Sequence, residues 1–484
     1  MTMSSNPIPA KGRLHRFRVL RWSSAALLAF LFFLVAAQAA ERPNIVVFLA
    51  DDLGYGSVGY QGGKPKTPNL DTLAKEAVRF TDFYTRSCNC SPSRASLLAG
   101  RSATRVGIYN WRPGRSPMAL RGSEVTLAEL LRDAGYRTGV FGKWHLGEVM
   151  PRESVLTPAD HGFEHSFVTD LNAAPSHRNP ANFIRNGAAV GECQGYSCQL
   201  VVDEALRVLE TLKPGESFFH YIPFHEPHVP LASPKELVKG YPGATKEEAV
   251  YYANVENIDR AIGRYLAALK TRGLSGNTLV LFASNNGPTG PGSSSGGLRG
   301  QKETLYDGGI KVPALLAWPS RILKPQTVSE PVALVDVMPT LCEAAGVAAP
   351  ADRVLDGMSF LPLLTGSKFT RAKPLFWFYF NRDPGAALCS WNWNLVARTT
   401  GFQPAGHNFT PEMMELVRSR TFDTFELFNL KADPGERNDV ATQHPEKLAE
   451  PKKQLLDSLA SARAEGPDWR VAKGCLSHRP TAEL

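Results

Sequence analysis

The segment Asn44–Ala50 reads Asn-Ile-Val-Val-Phe-Leu-Ala, an apolar run with no polar residue after its first position. A strand with one wet face alternates apolar and polar side chains, whereas an unbroken run has to be buried on both faces. The chain must therefore supply layers on either side of the sheet that holds this strand. Tyr136–Gly142, Phe218–Pro223, Thr278–Ala283 and Pro313–Trp318 read as further strands. Helical patterns lie between them. Thr67-Pro68 opens one, with Thr as cap and Pro in the first turn, and Leu70, Leu73, Ala74, Ala77 and Val78 follow at helical spacing. Pro331–Ala345 holds another through Val332, Val335, Met338 and Leu341. Strands alternating with helices predict an α/β fold, a large mixed and mostly parallel sheet between helices. From residue 371 the pattern changes. Leu375–Phe380, Trp391–Arg398 and Phe425–Leu430 read as strands and Pro445–Ala462 as a helix, which predicts a smaller α+β C-terminal subdomain over 371–484.

The first 39 residues stand apart from this pattern. Lys11, Arg13, Arg16, Arg18 and Arg21 precede the apolar run Ala25–Ala37, and Ala37-Gln38-Ala39 fits a small-residue cleavage site. This order predicts a secretory signal peptide over 1–39, with the catalytic segment over 40–370. The apolar run is shorter than the about 20 residues that a bilayer span needs, so no stable membrane span is expected after cleavage. The product is expected outside the cytoplasm, in a periplasmic, secreted or lysosome-like compartment. The signal carries most of the chain's basic excess: the full sequence has 54 Lys and Arg against 46 Asp and Glu, and removing residues 1–39 leaves 49 against 46. Nothing in that balance calls for a nucleic-acid partner. Export permits disulfides, and seven cysteines leave at least one unpaired. Cys193 with Cys198, and Cys389 with Cys475, are the candidate pairs, and Cys342 in its apolar setting reads as a buried free thiol.

Three polar clusters fall at or just past predicted strand ends, where parallel sheets bind ligands: Asp51-Asp52, Lys143 with His145, and Asn285-Asn286. Two adjacent carboxylates repel unless a hard cation joins them, and oxygen ligation suits Ca²⁺ or Mg²⁺. Lys143 and His145, two apart on an extended segment, face the same way. Cys90 starts a predicted short helix with Pro92 in its first turn and Gly100 at its end. A helix N-terminus attracts anions, and Arg94 adds a donor that grips tetrahedral oxyanions. His225 and His228 invite a zinc site, but no set of partner cysteines accompanies them.

Taken together, the twelve residues Cys90–Arg101 resemble the signature of the type I, formylglycine-dependent sulfatases of arylsulfatase type. Cys90, Pro92 and Arg94 match the positions read by the formylglycine-generating enzyme of that family. Gly142–Gly147, the His225–Pro230 segment, Leu298–Lys302 with Gly308-Gly309, and Glu426–Leu430 are similar to sulfatase segments as well. The resemblance implies an alkaline-phosphatase-like fold. It implies hydrolysis of sulfate esters by a formylglycine made from Cys90, with one divalent cation, Ca²⁺ ahead of Mg²⁺. It further implies that Lys143 binds sulfate oxygens, that His145 bonds the formylglycine hydroxyl, that His228 contacts the sulfate ester or protonates the leaving oxygen, and that Lys302 is a second cation for the sulfate or a proton donor to the leaving group. The implied metal set is Asp51, Asp52, Asn285, Asn286 and the modified Cys90.

One position departs from the family pattern. Asn285 stands where a ligating aspartate is usual, so the site lacks one charge and one proton acceptor. Two alternatives stay open at this point. One is a phosphoesterase on the same fold, which would want Ser or Thr as nucleophile and a two-zinc ligand set. The other is a sulfate-ester-binding relative weakened by Asn285. The substrate class implied is a sulfated small molecule or glycan, and Glu148–Pro180 and Tyr241–Tyr252 are expected to shape its pocket.

Overall fold

The computed structural model describes Met1 and residues 42–114, 116–152, 155–381, 384–401 and 408–471. The expected signal peptide and Cys475 lie outside the described residues.

In chain order the strands of the main sheet are β1 (Asn44–Ala50), β2 (Val78–Phe80), β4 (Arg137–Lys143), β5 (His165–Thr169), β6 (Ile184–Arg185), β7 (Ala188–Ala189), β8 (Phe218–Pro223), β9 (Thr278–Ser284), β10 (Ala314–Ala317) and β11 (Gln326–Val328). The short strands β3 (Phe83–Tyr84) and β12 (Val332–Ala333) pair with each other. The main sheet has ten strands in the order β11-β2-β10-β9-β1-β8-β4-β5-β6-β7. Its centre, β9-β1-β8-β4-β5, is parallel throughout. β10 runs antiparallel between β9 and β2, and β6 and β7 close the other side antiparallel.

The apolar run of β1 explains this placement. Ile45, Val47 and Leu49 join one core with Leu97, Leu98, Leu127, Met338 and Leu341. Val46, Phe48 and Ala50 face the other way, into a core with Val201, Val202, Val255, Ile258 and Tyr265. Successive side chains of a strand point to opposite faces, so the run needs both layers. Each large apolar side chain buried this way contributes about 1.5–3 kcal/mol. Gly142 in β4 has φ +130, and a Cβ there would stand 2.0 Å from the Pro223 carbonyl oxygen, so only glycine lets the ends of β4 and β8 close together.

A second sheet is antiparallel: β13 (Leu375–Tyr379), β14 (Gly385–Ser390), β15 (Trp393–Arg398) and β16 (Thr424–Asn429). Its outer face packs Leu388, Leu395 and Leu427 on Leu455 and Leu459 of the helix Pro445–Glu465. Its inner face packs Trp377, Tyr379 and Phe428 on Tyr84, Cys88, Leu305 and Tyr306.

Several local expectations change. The helix begun at Pro68 ends at Ala74, and Val78 belongs to β2 between β10 and β11. Sheet pairing there outweighs the helical spacing. The helix expected from Pro331 starts at Val337, because Val332 and Ala333 pair with β3 and the Asp336 carboxylate accepts the Ala333 N–H at 2.7 Å. Cys193 and Cys198 are both free thiols. Cys198 is buried in the core at the start of the helix Ser197–Thr211, whereas Cys193 turns to the Gly191 carbonyl. Cys389 and Cys342 are likewise buried free thiols.

Candidate active site

The carboxyl ends of the five parallel strands converge. Asp51 and Asp52 follow β1, Lys143 ends β4, Asn285 and Asn286 follow β9, Asn172 lies just past β5, and His228 lies just past β8. Ala50 pairs with Ser284 in the sheet, and the Asn285 N–H donates to the Ala50 carbonyl at 3.1 Å. Register alone therefore puts Asn285 against Asp51. Cys90 comes from outside the sheet, as the first residue of the helix Cys90–Ala99. All ten residues of that helix are buried, Asn89 caps its start in extended conformation, and Gly100 ends it at φ +64. Asp52 and His145 adopt positive φ, 66° and 58°. The segment beyond Lys143 is thus not extended, yet Lys143 and His145 still line the same cavity.

Two carboxylates meet two lysines and an arginine here. The Asp51 carboxylate accepts from Lys143 Nζ at 2.5 Å and lies 3.4 Å from the Arg94 guanidinium. The Asp52 carboxylate accepts from Lys302 Nζ at 2.8 Å, and His228 Nε2 lies 3.5 Å away. Burial opposes the charge on Asp51, but Lys143 and Arg94 hold its carboxyl well below the usual carboxylate range. Burial also opposes the charge on Lys302, and Asp52, then Cys90 and Asp51, outweigh it and raise its pKa. The Cys90 sulfur is 4.0 Å from Asp52 Oδ1, and burial together with Asp51 pushes the thiol up to about 11. An unmodified Cys90 is therefore a thiol rather than a thiolate at neutral pH.

Arg94 is fully buried; it donates to the Lys143 carbonyl at 2.7 Å, while its Nε and Nη2 make no hydrogen bond. His145 Nε2 sits 2.8 Å from the Arg112 carbonyl, which assigns that nitrogen the proton. Its Nδ1 is buried with no hydrogen-bond partner. Burial, with Lys143 and Arg94 next, holds this imidazole well below its ordinary pKa, so Nδ1 carries a free lone pair. Burial and Lys143 push His228 down to about 4. His225 does not join the cluster: its Nε2 bonds Thr169 Oγ1 at 2.7 Å and its ring packs edge-on to Phe183.

The oxygen donors of Asp51, Asp52 and Asn286 fit a hard divalent cation. Asn286 donates its NH₂ to Asp52 at 2.7 Å and to the Gly287 carbonyl, and leaves Oδ1 buried without a partner. Such an orphaned acceptor is costly unless a ligand or cation takes it. Asp52, Cys90 and His228 also bring ligand atoms within 4.8 Å of one another. Asn285 differs from the expected ligand. Its oxygen accepts the Asp52 N–H at 3.1 Å, and its NH₂ donates to Asp51 at 2.5 Å. A backbone N–H has to be satisfied, which fixes the amide with its nitrogen toward Asp51.

A cavity of about 290 Å³ opens above these groups. Cys90, Lys143, His145, His228 and Lys302 line it together with Trp111, Leu171, Asn172 and Glu303. Asn172 accepts from Lys143 at 2.9 Å and approaches His228 Nδ1 at 3.1 Å. Leu171 and Asn172 fall within the segment expected to shape the pocket. Tyr241–Tyr252 contributes no lining residue here; Tyr252 borders a separate cleft with Gly56, Lys64 and Ser293. Larger grooves along the helix Lys246–Thr271 lack a comparable set of converging charges among the described residues.

Residues 43–347 match the family described as Sulfatase, and residues 300–465 match the family described as N-sulphoglucosamine sulphohydrolase, C-terminal. The chain is 33% identical to arylsulfatase A of Homo sapiens over 491 residues, covering 92% of this chain and 94% of that protein. It is 32% identical to N-acetylgalactosamine-6-sulfatase of Mus musculus over 444 residues, covering 84% and 83%. Among solved structures, Ps i-CgsB in complex with k-i-k-neocarrahexaose superposes with a TM-score of 0.77 at 26% identity, covering 90% of this chain and 96% of that one.

Proposed function

Because the chain belongs to the sulfatase family and is a sulfuric ester hydrolase, we propose that it works through a formylglycine made from Cys90 and one divalent cation, on a sulfated glycan. The observation that carries this reading is the meeting of Cys90 with two carboxylates and the cations Lys143, Lys302 and Arg94 in one buried cluster. A hydrated formylglycine supplies two hydroxyls on one carbon, one to attack sulfur and one to expel sulfate afterwards. A cation held by Asp51, Asp52 and Asn286, Ca²⁺ ahead of Mg²⁺, supplies positive charge to the nucleophile and the sulfate oxygens.

The chain's own side chains do the rest. Lys143 and Lys302 on the cavity wall, with Arg94 buried behind Lys143, neutralise the sulfate oxygens, and donors fixed in this way stabilise developing charge. The bare Nδ1 of His145 accepts the hydroxyl proton at residue 90. His228, on the open side, faces the leaving oxygen, and Asn172 orients both Lys143 and His228. All of these residues lie within the proposed catalytic segment 40–370.

The glycan class is supported by a relative named for N-acetylgalactosamine 6-sulfate and by the k-i-k-neocarrahexaose found in complex with Ps i-CgsB. Export, and modification by a formylglycine-generating enzyme, belong to the same proposal. No described helix is long and apolar enough to cross a membrane. Mass spectrometry of the peptide holding Cys90, paired with free-sulfate release from an aryl sulfate and a panel of sulfated sugars, tests the reading. An active preparation that keeps a full thiol at Cys90 overturns it.

A further inference from the structure

The backbone of His145 lies in the left-handed region at φ 58°, which costs a residue other than glycine about 1–2 kcal/mol. Contacts from other segments offset that cost. The His145 N–H donates to the Asp170 carbonyl at 2.9 Å, and its Nε2 donates to the Arg112 carbonyl at 2.8 Å. The Arg112 guanidinium joins these two anchors. Its Nη1 donates to Asp170 Oδ1 at 2.8 Å, and its Nη2 donates to Glu148 Oε1 at 2.8 Å. The contacts close a ring: His145 to Asp170, Asp170 to Arg112, and Arg112 back to His145. Glu148, just beyond His145 in sequence, adds a second tie. Arg112 is only 1% exposed, and a buried charge that loses a partner is costly. The Arg112 N–H donates to Ser91 Oγ at 3.0 Å, which ties the same ring to the residue after Cys90. Arg112, Glu148 and Asp170 all lie outside the segments that resemble sulfatases.

We propose that Arg112 is a positioning residue: gripping Asp170 and Glu148, it holds its own carbonyl against His145 Nε2 and so keeps Nδ1 the bare nitrogen. The inference rests on the proposed role of His145 as proton acceptor at residue 90. A carbonyl only accepts, so Nε2 carries the ring proton for as long as that carbonyl stays in place. Once the carbonyl moves, the tautomer is no longer fixed, and the form with its proton on Nδ1 cannot act as a base there. The planar fork of an arginine reaches two carboxylates at once, whereas a lysine in its place offers a point charge.

The test pairs nitrogen-15 NMR of the full chain, labelled at histidine, with steady-state release of sulfate from an aryl sulfate by protein with converted Cys90. His145→Gln identifies the His145 signals by their loss. The parent is expected to show a single His145 tautomer at neutral pH, with the proton on Nε2. Arg112→Lys is expected to give a mixture of tautomers and to lower kcat about 10–100-fold, with KM within about threefold. Asp170→Ala keeps the backbone carbonyl that accepts the His145 N–H and removes only the grip on Arg112. It is expected to shift the tautomers the same way and to lower kcat about fivefold, and it replaces Arg112→Lys where that variant does not fold. A parent with the His145 proton on Nδ1 overturns the proposal. A tautomer unmoved by Arg112→Lys, or by Asp170→Ala in its place, overturns it as well. Absent sulfate release from the parent counts against the proposed reaction, while the NMR signals alone judge Arg112.

Discussion

In the main sheet five neighbouring strands run the same way and leave from one edge, whereas in the small sheet every neighbour runs the opposite way. Parallel direction gathers carboxyl ends, so five separate stretches of chain deliver Asp51, Lys143, Asn172, His228 and Asn285 to one place. Antiparallel direction scatters its ends, and among the described residues no strand of the small sheet brings a side chain to the cavity. Its contribution is support. Trp377, fully buried, donates from Nε1 to the Thr85 carbonyl at 2.9 Å, and the inner face packs on Cys88, Leu305 and Tyr306, which flank Cys90 and Lys302. Chemistry and support are thus divided between two sheets.

The largest expected effect falls on the side of chemistry. If Cys90 supplies the nucleophile as proposed, Cys90→Ala should lower sulfate release by at least about 10⁴-fold, with a melting curve close to that of the parent. Lys143→Ala should cost about 10²–10³-fold in kcat/KM, the usual loss when one fixed donor to the transition state is removed. Asn285→Asp comes next. It sets a carboxylate against Asp51 where an amide NH₂ now donates, so the metal-free protein should melt earlier. Ca²⁺ should bind about tenfold tighter and raise Tm more than in the parent. Calorimetric titration reads this, and an unchanged Ca²⁺ affinity shows that position 285 lies beyond the cation's reach.

On the side of support, Trp377→Phe keeps an aromatic ring and deletes one buried hydrogen bond. It should cost about 1–3 kcal/mol of stability while kcat/KM stays within about threefold. A tenfold loss of kcat at unchanged stability would break the division between the sheets. The smallest effect concerns Glu436, whose carboxylate accepts the Asp307 N–H at 2.6 Å and the Asn394 amide at 2.6 Å. Burial, then Asp307, raises its pKa from 4.5 to about 8. The folded state therefore holds this proton more tightly than the unfolded chain. The associated stability is full below pH 4.5 and is lost as pH rises through about 8. Glu436→Gln should flatten that part of the stability–pH curve by on the order of 1 kcal/mol, read from melts between about pH 5 and pH 9.

Legibility followed the same division. The run Asn44–Ala50 announced a doubly covered strand because every residue after the first is apolar, and Asp51-Asp52 stood at its end. The helix from Cys90 was bounded in the sequence by Pro92 and Gly100. Strand β14 escaped notice because Gly385, Ala386 and Ala387 are small residues with weak preferences. Asn172 and Trp111 belong to no motif: they reach the cavity through tertiary placement that no local pattern encodes. The orientation of the Asn285 amide was likewise invisible, since it depends on a backbone N–H of Asp52 that lies 233 positions away.

That separation has a consequence in time. The central strand β1 is made first, but its neighbour β9 lies at a sequence distance of 234 residues, and pairings so remote form slowly. Until β9 docks, Asp51 lacks Asn285 beside it, and the edge of the sheet around Cys90 is incomplete. In the finished protein Cys90 is only 2% exposed, out of reach of any second enzyme. On the proposed formylglycine chemistry, the interval between synthesis of Cys90 and arrival of β9 is the period in which the chain would be open to modification. A substitution that speeds folding would shorten that period, and the fraction of converted protein would fall with it.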